Sequence, residues 1–238
     1  MGVHHSLIKD LLLKNYKSRN YKIWNELPVI CAKELGCEFS KSTPSKFLRE
    51  VFVEEIYKIP GFIPRQGDVV IDVGANYGDS SIWWSKVFGA KVIAFEPLEN
   101  IYRVLLENIK LNDAGVMPFN LALGTGEPIK GISDGSMFTK VQGNEASEFP
   151  SRRLDDFSFG KVDLLKIDVE GFETEVLKGS LETIEKYHPK IILETHTREL
   201  KRSCNNILEK VGYELKHQGR KRYPGIEGLD EIQNLFYS

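Results

Sequence analysis

The sequence has few cysteines, no long apolar run and no excess of charge of either sign. Its three cysteines are an odd number without a C-x-x-C pair, so neither a disulfide framework nor a structural zinc site is expected. No apolar stretch approaches the roughly 18 residues that a membrane helix needs, so we expect no stable membrane insertion. The net charge of −2 offers no general attraction for nucleic acid. These absences favour a cytoplasmic globular protein without a nucleic-acid partner.

The N-terminal part of the chain has the apolar spacing of helices. The spacing predicts helices at 5–15, 21–36 and 44–58. Proline and glycine then end the helical pattern near residue 60, because both residues terminate helices. We interpret residues 1–66 as a helical extension or cap that precedes the main domain.

Residues 67–238 alternate between strand-like and helix-like segments, which is typical of a parallel sheet with helical crossovers. The predicted strands are 69–73, 91–95, 116–121, 162–167, 190–193, 212–217 and 233–237, and the predicted helices are 80–88, 98–111, 173–187 and 199–211. The last two strands would form an antiparallel pair. The glycine-rich stretch 124–150 predicts a long loop or a hairpin over the sheet edge, either as a substrate-binding lid or without a function.

A glycine-containing turn joins the first predicted strand to the next helix, in the segment Asp72-Val-Gly-Ala-Asn-Tyr-Gly78. Gly74 and Gly78 permit a tight turn and a close approach to a ligand. The unpaired N–H groups of the helix, with Ser81 in its first turn, suit an anionic ligand group. Glu96 ends the next strand, where a carboxylate can accept hydrogen bonds from both hydroxyls of a ribose. Together these features predict a nucleotide-type ligand.

Two ligands fit this turn, a dinucleotide such as NAD and S-adenosylmethionine. A dinucleotide site has small residues in a G-x-G-x-x-G pattern, whereas this turn reads G-x-N-x-G and follows Asp72. The carboxylate of Asp72 would repel a pyrophosphate, but it would attract the ammonium and sulfonium groups of S-adenosylmethionine. Charge matching therefore favours S-adenosylmethionine.

Further motifs follow the turn along the chain. They are Ala94-Phe-Glu-Pro97, Asn108, Leu111-Asn112, Asn120-Leu-Ala-Leu-Gly124, Arg153-Leu-Asp155, Leu165-Lys-Ile-Asp168-Val-Glu170-Gly171, Val176-Leu-Lys-Gly179 and Pro189-Lys-Ile-Ile-Leu-Glu194. In order and spacing, these motifs and the turn resemble the FkbM family of methyltransferases over about residues 68–195.

The resemblance implies a Rossmann-like α/β fold, doubly wound, with a mostly parallel seven-stranded sheet whose last strand is antiparallel. It also implies S-adenosylmethionine as the methyl donor and, most often, an oxygen atom as the acceptor. The residues that fall on the family's cofactor motifs are Asp72, Gly74, Asn76 and Gly78 in the turn, Glu96 at the ribose and Ala122 beside the adenine.

Methyl transfer needs an aligned acceptor and a nearby proton acceptor. Asp168 and Glu194 end two predicted strands and should face the same crevice, with Glu170 and His196 two residues beyond them. We predict that the base is among these four residues, although each also has a purely structural interpretation. They could also bind a divalent ion, but no close ligand spacing supports this, so no metal site is predicted.

The favoured function is therefore O-methylation of a small molecule, sugar or glycan. The alternatives are an NAD(P)-dependent oxidoreductase and a binding module that has the fold without catalysis. Acceptor specificity is expected to come from residues 1–66, 124–150 and 196–238, where the resemblance is weakest or absent.

Overall fold

A seven-stranded sheet forms the centre of the computed structural model, which describes residues 21–133, 138–140, 147–219 and 232–238. In chain order the strands are β1 (Val69–Val73), β2 (Lys91–Phe95), β3 (Val116–Phe119), β4 (Ala122–Leu123), β5 (Ile129–Ser133), β6 (Phe138–Lys140), β7 (Ser147–Phe149), β8 (Ser151–Arg152), β9 (Leu164–Ile167), β10 (Lys190–Thr195), β11 (Leu215–Gln218) and β12 (Gln233–Tyr237). The helices are α1 (Tyr21–Glu34), α2 (Ser45–Phe52), α3 (Asp79–Phe88), α4 (Glu99–Asn112), α5 (Glu173–Lys178), α6 (Leu181–Tyr187) and α7 (Arg198–Lys210), with a 3-10 turn at Leu154–Asp156.

The sheet has the strand order β11-β12-β10-β9-β1-β2-β3. All neighbouring strands are parallel except β12, which runs antiparallel to both β10 and β11. The predicted fold class is thus confirmed, including the antiparallel last strand. Because β1, β2, β9 and β10 are parallel, their carboxyl ends meet at one edge of the sheet.

Each face of the sheet has its own hydrophobic core, because successive residues of a strand point to opposite faces. In β9, Leu164 packs on the face covered by α1, α2 and α3, whereas Leu165 and Ile167 pack on the face covered by α5, α6 and α7. The N-terminal helices therefore share a core with the sheet. No helix among the described residues combines the length and the apolar character that membrane crossing requires.

The prediction of one helix over 173–187 is wrong, because the chain breaks there into α5 and α6. A β carbon at Gly179 would lie 1.8 Å from the carbonyl oxygen of Gly124, so the backbone packs directly on the neighbouring loop. Asp155 donates its amide to the carbonyl of Gly179, and its carboxylate accepts two amides at the start of α6. A tertiary contact thus caps a helix that periodicity alone would continue.

The helix predicted at 44–58 ends early, at Phe52. The carbonyl of Arg49 accepts the next two amides, and Glu55 then takes a left-handed backbone conformation with a φ of 52°. The helix predicted at 5–15 lies outside the described residues.

The stretch 124–150 contains a hairpin, one of its two predicted forms. Strand β5 pairs antiparallel with both β6 and β7, and a short parallel pair of β4 with β8 lies at its base.

Two asparagines fasten the N-terminal extension to the sheet domain. Asn108 of α4 accepts the amide of Ser40 and donates to the hydroxyl of Thr43 and the carbonyl of Tyr77. Asn112, one turn later, exchanges hydrogen bonds with the backbone of Glu38. The segment before α2 is therefore held against α4 and against the glycine turn.

Candidate active site

A cavity of about 660 Å³ lies at the carboxyl ends of β1, β2, β9 and β10. Its volume is within the range of roughly 300–1,000 Å³ found for small-molecule sites, and this sheet edge is where α/β folds bind ligands. The predicted site residues that line it are Gly74, Asn76, Glu96, Ala122, Asp168, Glu170, Glu194 and His196. The other three, Asp72, Gly78 and Ser81, lie behind its wall.

The two glycines of the turn are needed by the protein's own packing. Gly74 has a φ of +78°, and a β carbon there would lie 1.8 Å from the carbonyl oxygen of Asp168. Gly78 has a φ of +85°, and a β carbon there would lie 2.5 Å from the side chain of Leu105. Gly74 thus brings the turn against the end of β9, and Gly78 allows α3 to begin close to α4.

Asp72 is completely buried and bound by three donors. Its Oδ2 accepts hydrogen bonds from the hydroxyls of Ser80 and Ser81, both at 2.7 Å. Its Oδ1 lies 3.0 Å from Nζ of Lys166, the residue directly opposite it in the β1–β9 ladder. The hydroxyl of Ser81 is therefore used inside the protein, where the sequence had predicted a contact with an anionic ligand group.

Lys166, which the sequence analysis did not select, joins the turn to the end of β9. Its Nζ donates to the carbonyl of Gly74 at 2.9 Å and lies 3.7 Å from Oδ2 of Asp168. Burial lowers the pKa of Lys166, but the charges of Asp72 and Asp168 outweigh this effect, so the pKa lies above its ordinary value. The ammonium group is therefore charged.

This ion pair corrects the charge argument made from the sequence. The charge of Asp72, which does not line the cavity, is matched by Lys166, which does, so Asp72 alone does not set the preference for a cationic ligand. Carboxylates still outnumber Lys and Arg side chains along the cavity. The acidic residues are Glu50, Glu54, Asp79, Glu96, Asp168, Glu170 and Glu194, and the Lys and Arg residues are Lys46, Arg49 and Lys166. Attraction for a cationic cofactor thus comes from the whole lining.

Glu96 is held in place by the backbone. Its Oε2 accepts the amide of Asn76 at 3.0 Å, and its Oε1 accepts the amide of Leu98 at 2.9 Å. Asn76 has a left-handed φ of 50°, which turns its amide toward this carboxylate. Burial raises the pKa of Glu96 to about 7, against the lowering effect of the two amides.

Asp79, the first residue of α3, is a second carboxylate with a raised pKa in this part of the cavity. Burial raises its pKa to about 7; the charge of Lys166 opposes the rise, and those of Glu50 and Asp72 add to it. The end of the cavity beside the glycine turn thus holds two acids that titrate near neutral pH.

An apolar corner adjoins Glu96 and contains Ala122, the residue predicted to lie beside the adenine. Ala122 lies there with Leu98, Ile101 and Ile129, all of them buried. Ile129 belongs to β5, so the hairpin of stretch 124–150 contributes to the cavity wall.

The four predicted catalytic residues meet at the other end of the cavity, around His196. Its Nε2 lies 3.0 Å from Oε2 of Glu170 and 3.5 Å from Oε1 of Glu194. Its Nδ1 lies 3.5 Å from Oε1 of Glu173, a fully buried residue that the sequence analysis missed. Glu170 reaches the imidazole from a turn in which it has a left-handed φ of 52°.

These carboxylates change the chemistry expected of His196. Burial lowers its pKa, but the hydrogen bonds to Glu170 and Glu173 and the charges of Glu170 and Glu194 raise it to about 11. The sequence analysis considered His196 as a base because the unperturbed pKa of histidine is suitable. In this surrounding the imidazole is protonated at neutral pH and cannot accept a proton.

The same cluster has the geometry of a cation site. One ligand atom from each of Asp168, Glu194 and His196 lies within 4.8 Å of the others. Their separation along the sequence hid this arrangement, because the ends of two adjacent parallel strands bring them together.

The N-terminal extension forms another wall of the cavity. Its lining residues come from α2 and the turn after it, and they are Lys46, Phe47, Arg49, Glu50, Glu54 and Tyr57. The ring of Phe47 lies 5.0 Å from that of Tyr77 in the glycine turn. His196, Thr197 and Ile232 contribute from the C-terminal part. Each of the three regions expected to determine the acceptor thus reaches the cavity.

Comparison with known families gives a match to the methyltransferase FkbM domain over residues 72–219, more than half of the chain. The match begins at Asp72 and continues past 195, where the resemblance noted in the sequence ended, to the end of β11.

Known relatives include other methyltransferases. Methyltransferase sdnD of Sordaria araneosa is 26% identical over 223 residues, covering 74% of this chain and 84% of the relative. Hexuronic acid methyltransferase AglP of Haloferax volcanii is 29% identical over 140 residues, covering 56% of this chain and 57% of the relative. The solved structure of methyltransferase FkbM from Methylobacillus flagellatus has a TM-score of 0.53 at 18% identity, covering 92% of this chain and 62% of that one. This chain thus spans less than two thirds of that structure, and the likeness shows the fold.

Proposed function

The chain belongs to the FkbM family of S-adenosylmethionine-dependent methyltransferases, and from this premise we propose that it methylates a hydroxyl oxygen of a small-molecule, sugar or glycan acceptor. The observation that carries the proposal is one cavity with two chemically different ends. Glu96 and the apolar corner around Ala122 suit a nucleoside, whereas the carboxylates around His196 suit a hydroxyl group that must lose a proton.

The residues of the first end would hold the cofactor. Glu96 would accept the ribose hydroxyls, the corner around Ala122 would cover the adenine, and Asp79 and Asp168 would face the cationic part. S-adenosylmethionine, when bound, supplies a methyl group activated by its sulfonium.

The residues of the second end would orient and deprotonate the acceptor. When the acceptor oxygen takes the methyl group, its hydroxyl proton would pass to a carboxylate, Asp168 or Glu194. The imidazolium of His196 fixes the orientation of Glu170 and Glu194. A positioned base of this kind typically contributes about 10²–10⁴-fold to the rate.

A relative supports a sugar acceptor. AglP is named as a hexuronic acid methyltransferase and matches 56% of this chain. A polyol also suits a cavity lined by many carboxylates, since each can accept a hydroxyl hydrogen bond.

The test is transfer of an isotopically labelled methyl group from S-adenosylmethionine to a panel of sugars, uronic acids and small alcohols, followed by mass spectrometry. We expect label on oxygen in at least one acceptor. Label on oxygen can be in a methyl ether or in a methyl ester. Mild alkali distinguishes them, because it hydrolyses the ester and leaves the ether intact. Label found only on nitrogen, on carbon or in an alkali-labile ester would contradict methylation of a hydroxyl oxygen.

The same assay distinguishes an active methyltransferase from a non-catalytic binding module. Such a module would bind S-adenosylhomocysteine and transfer no label to any acceptor, including those of a cell extract. The family membership removes the support for a nicotinamide-dependent oxidoreductase.

A further inference from the structure

We propose that Asp168, Glu194 and His196 bind a divalent cation of the Mg²⁺ or Mn²⁺ class at the acceptor end of the cavity. The inference rests on the proposed function, because the cation would hold the acceptor hydroxyl beside the methyl donor. Two carboxylates and an imidazole are a ligand set that Mn²⁺ and related ions accept. Mg²⁺ takes oxygen ligands at about 2.0–2.1 Å. Ligand atoms that lie within 4.8 Å of one another are therefore close to the spacing that a shared cation requires.

The surrounding charge is the first support. Among the described residues the imidazole of His196 lies against both Glu170 and Glu173, even with Glu194 left aside. Asp168 lies 3.7 Å from Lys166, but that ammonium group is closer to Asp72. Because buried carboxylates are costly without compensation, this end of the cavity favours a further cation.

A buried amide beside the cluster is the second, independent support. Asn234 is only 4% exposed, and its Oδ1 accepts no hydrogen bond from the described part of the chain. It stands directly opposite Glu194 in the β10–β12 ladder, so the two side chains leave the sheet on the same face. Ile232, two residues earlier, lines the cavity. An amide oxygen in this place offers a further oxygen ligand.

Glu173 completes the arrangement as a positioning residue. Its Oε1 accepts the amides of Val169 and Gly171 and lies 3.5 Å from Nδ1 of His196. A carboxylate on one ring nitrogen orients the other toward a metal, and this is how proteins commonly support histidine ligands. Here Nε2 is the nitrogen that faces Glu194. Its proton is released to solvent when the cation binds.

A cation in this place would explain how an acidic cavity accepts its substrate. It would bind the acceptor hydroxyl directly and lower the pKa of that hydroxyl, as metal ions do for bound water. It would also bridge the cavity carboxylates to an acidic sugar, which those carboxylates would otherwise repel.

The experiment is titration of the chelator-treated full chain with Mn²⁺, with free Mn²⁺ measured by electron paramagnetic resonance. We expect one bound Mn²⁺ per chain, displaced by excess Mg²⁺. Glu194→Gln and His196→Ala should each weaken binding by at least ~10-fold, and Glu173→Gln by ~10-fold or more. The matched controls are Glu199→Gln, at an exposed carboxylate of α7, and His188→Asn, at a left-handed position that asparagine tolerates; both should bind Mn²⁺ like the wild type.

Two results would overturn the cation site. One is a wild-type chain that leaves Mn²⁺ free at millimolar concentration, and the other is a Glu194→Gln variant that binds it as tightly as the wild type. Thermal unfolding of each variant is measured in parallel, and Glu194→Gln, which keeps the side-chain shape, decides the matter if His196→Ala does not fold.

Failure of the cation site and failure of the proposed function give different results. Mn²⁺ bound at the cluster with label appearing only on nitrogen or carbon would retain the site and reject O-methylation. If the chain binds no Mn²⁺ and label appears on oxygen at the same rate with and without chelator, O-methylation is retained and the cation site is rejected.

Discussion

The two ends of the cavity balance their charges in different ways. At the cofactor end two carboxylates have their own partners: Asp72 accepts from two hydroxyls and lies beside Lys166, and Glu96 accepts from two backbone amides. At the acceptor end three carboxylates converge on the single imidazole of His196. The groups of the first end are held by the protein's own donors, whereas Glu170 and Glu173 at the second end share one imidazole.

The difference indicates a division of labour. Groups that the protein already holds in place suit the binding of one cofactor in one orientation, since little has to reorganise. A cluster with surplus charge suits proton acceptance and cation binding, which both add positive charge. The predictions below test whether the two ends are as separate as this comparison implies.

The largest effect is expected from Lys166→Met, which removes the cation at the centre of the cofactor end. Asp72 would remain buried without its partner, at a cost of about 3–5 kcal/mol in the free energy of unfolding. Urea denaturation measures this. Lys161→Met, at a half-exposed lysine with two acidic partners, is the control and should change stability little. If Lys166→Met lowers the free energy of unfolding no more than the control does, the pair of Asp72 and Lys166 is not important for stability.

Gly74→Ala should have the next largest effect. The strain of a left-handed alanine and its clash with the carbonyl of Asp168 should together lower the free energy of unfolding by about 2–4 kcal/mol. The displaced turn should also bind S-adenosylhomocysteine much more weakly. Gly36→Ala is a matched control, because Gly36 has a similar φ of +75° and no atom within 4 Å of the added carbon. Equal losses in the two variants would show that the approach to β9 is unimportant.

Glu96 should make cofactor binding depend on pH. The ionised carboxylate is the better acceptor for ribose hydroxyls, so binding favours ionisation. Because burial raises the pKa of Glu96 to about 7, affinity should rise as pH increases through 7 and level off above it. The affinity of the form with ionised Glu96 should exceed that of the protonated form by about 10–100-fold, which is the value of hydrogen bonds to a charged group. Calorimetric titration with S-adenosylhomocysteine between pH 5 and 9 measures it.

Asp79 would face the cationic part of the cofactor and also has a pKa of about 7, so its ionisation would add to the rise in affinity. Asp79→Asn should lose the smaller part of this rise, and Glu96→Gln the larger part. The opposite outcome would assign the titration to Asp79.

The smallest effect is expected at the fastening of the N-terminal extension. Asn108→Ala removes a buried side chain that joins Ser40, Thr43 and Tyr77, and should cost about 2 kcal/mol of stability. Glu107→Ala, which removes an exposed hydrogen bond to the same segment, is the control and should cost less. If both variants unfold like the wild type, the extension is held by its apolar contacts alone.

The cofactor end could be predicted from the sequence because it is continuous in the chain. The turn 72–78 and Glu96 follow two buried strands, so their positions are set by local spacing. Lys166 was missed, although a single lysine in an otherwise apolar strand is a sign that an acid lies nearby. That Asp72 is this acid depends on the register of β1 against β9, which the sequence does not state.

The acceptor end could be predicted only in part. Asp168 and Glu194 were found because both follow strands, and His196 because it follows Glu194. The protonation of His196 depends on Glu173, which looked like an ordinary helix residue, and on the turn that brings Glu170 back. Likewise, the break at Gly179 depends on contact with Gly124, a residue far away in the chain.

The most direct test of the two separate ends is to measure cofactor affinity and methyl transfer in the same two variants. Glu96→Gln should weaken S-adenosylhomocysteine binding by about 10–100-fold, whereas Glu194→Gln should bind it within about threefold of the wild type. Transfer of the labelled methyl group at saturating cofactor should fall by about 10²-fold or more in Glu194→Gln and far less in Glu96→Gln. A Glu194→Gln variant that loses affinity and transfer in equal measure would contradict the division between the two ends.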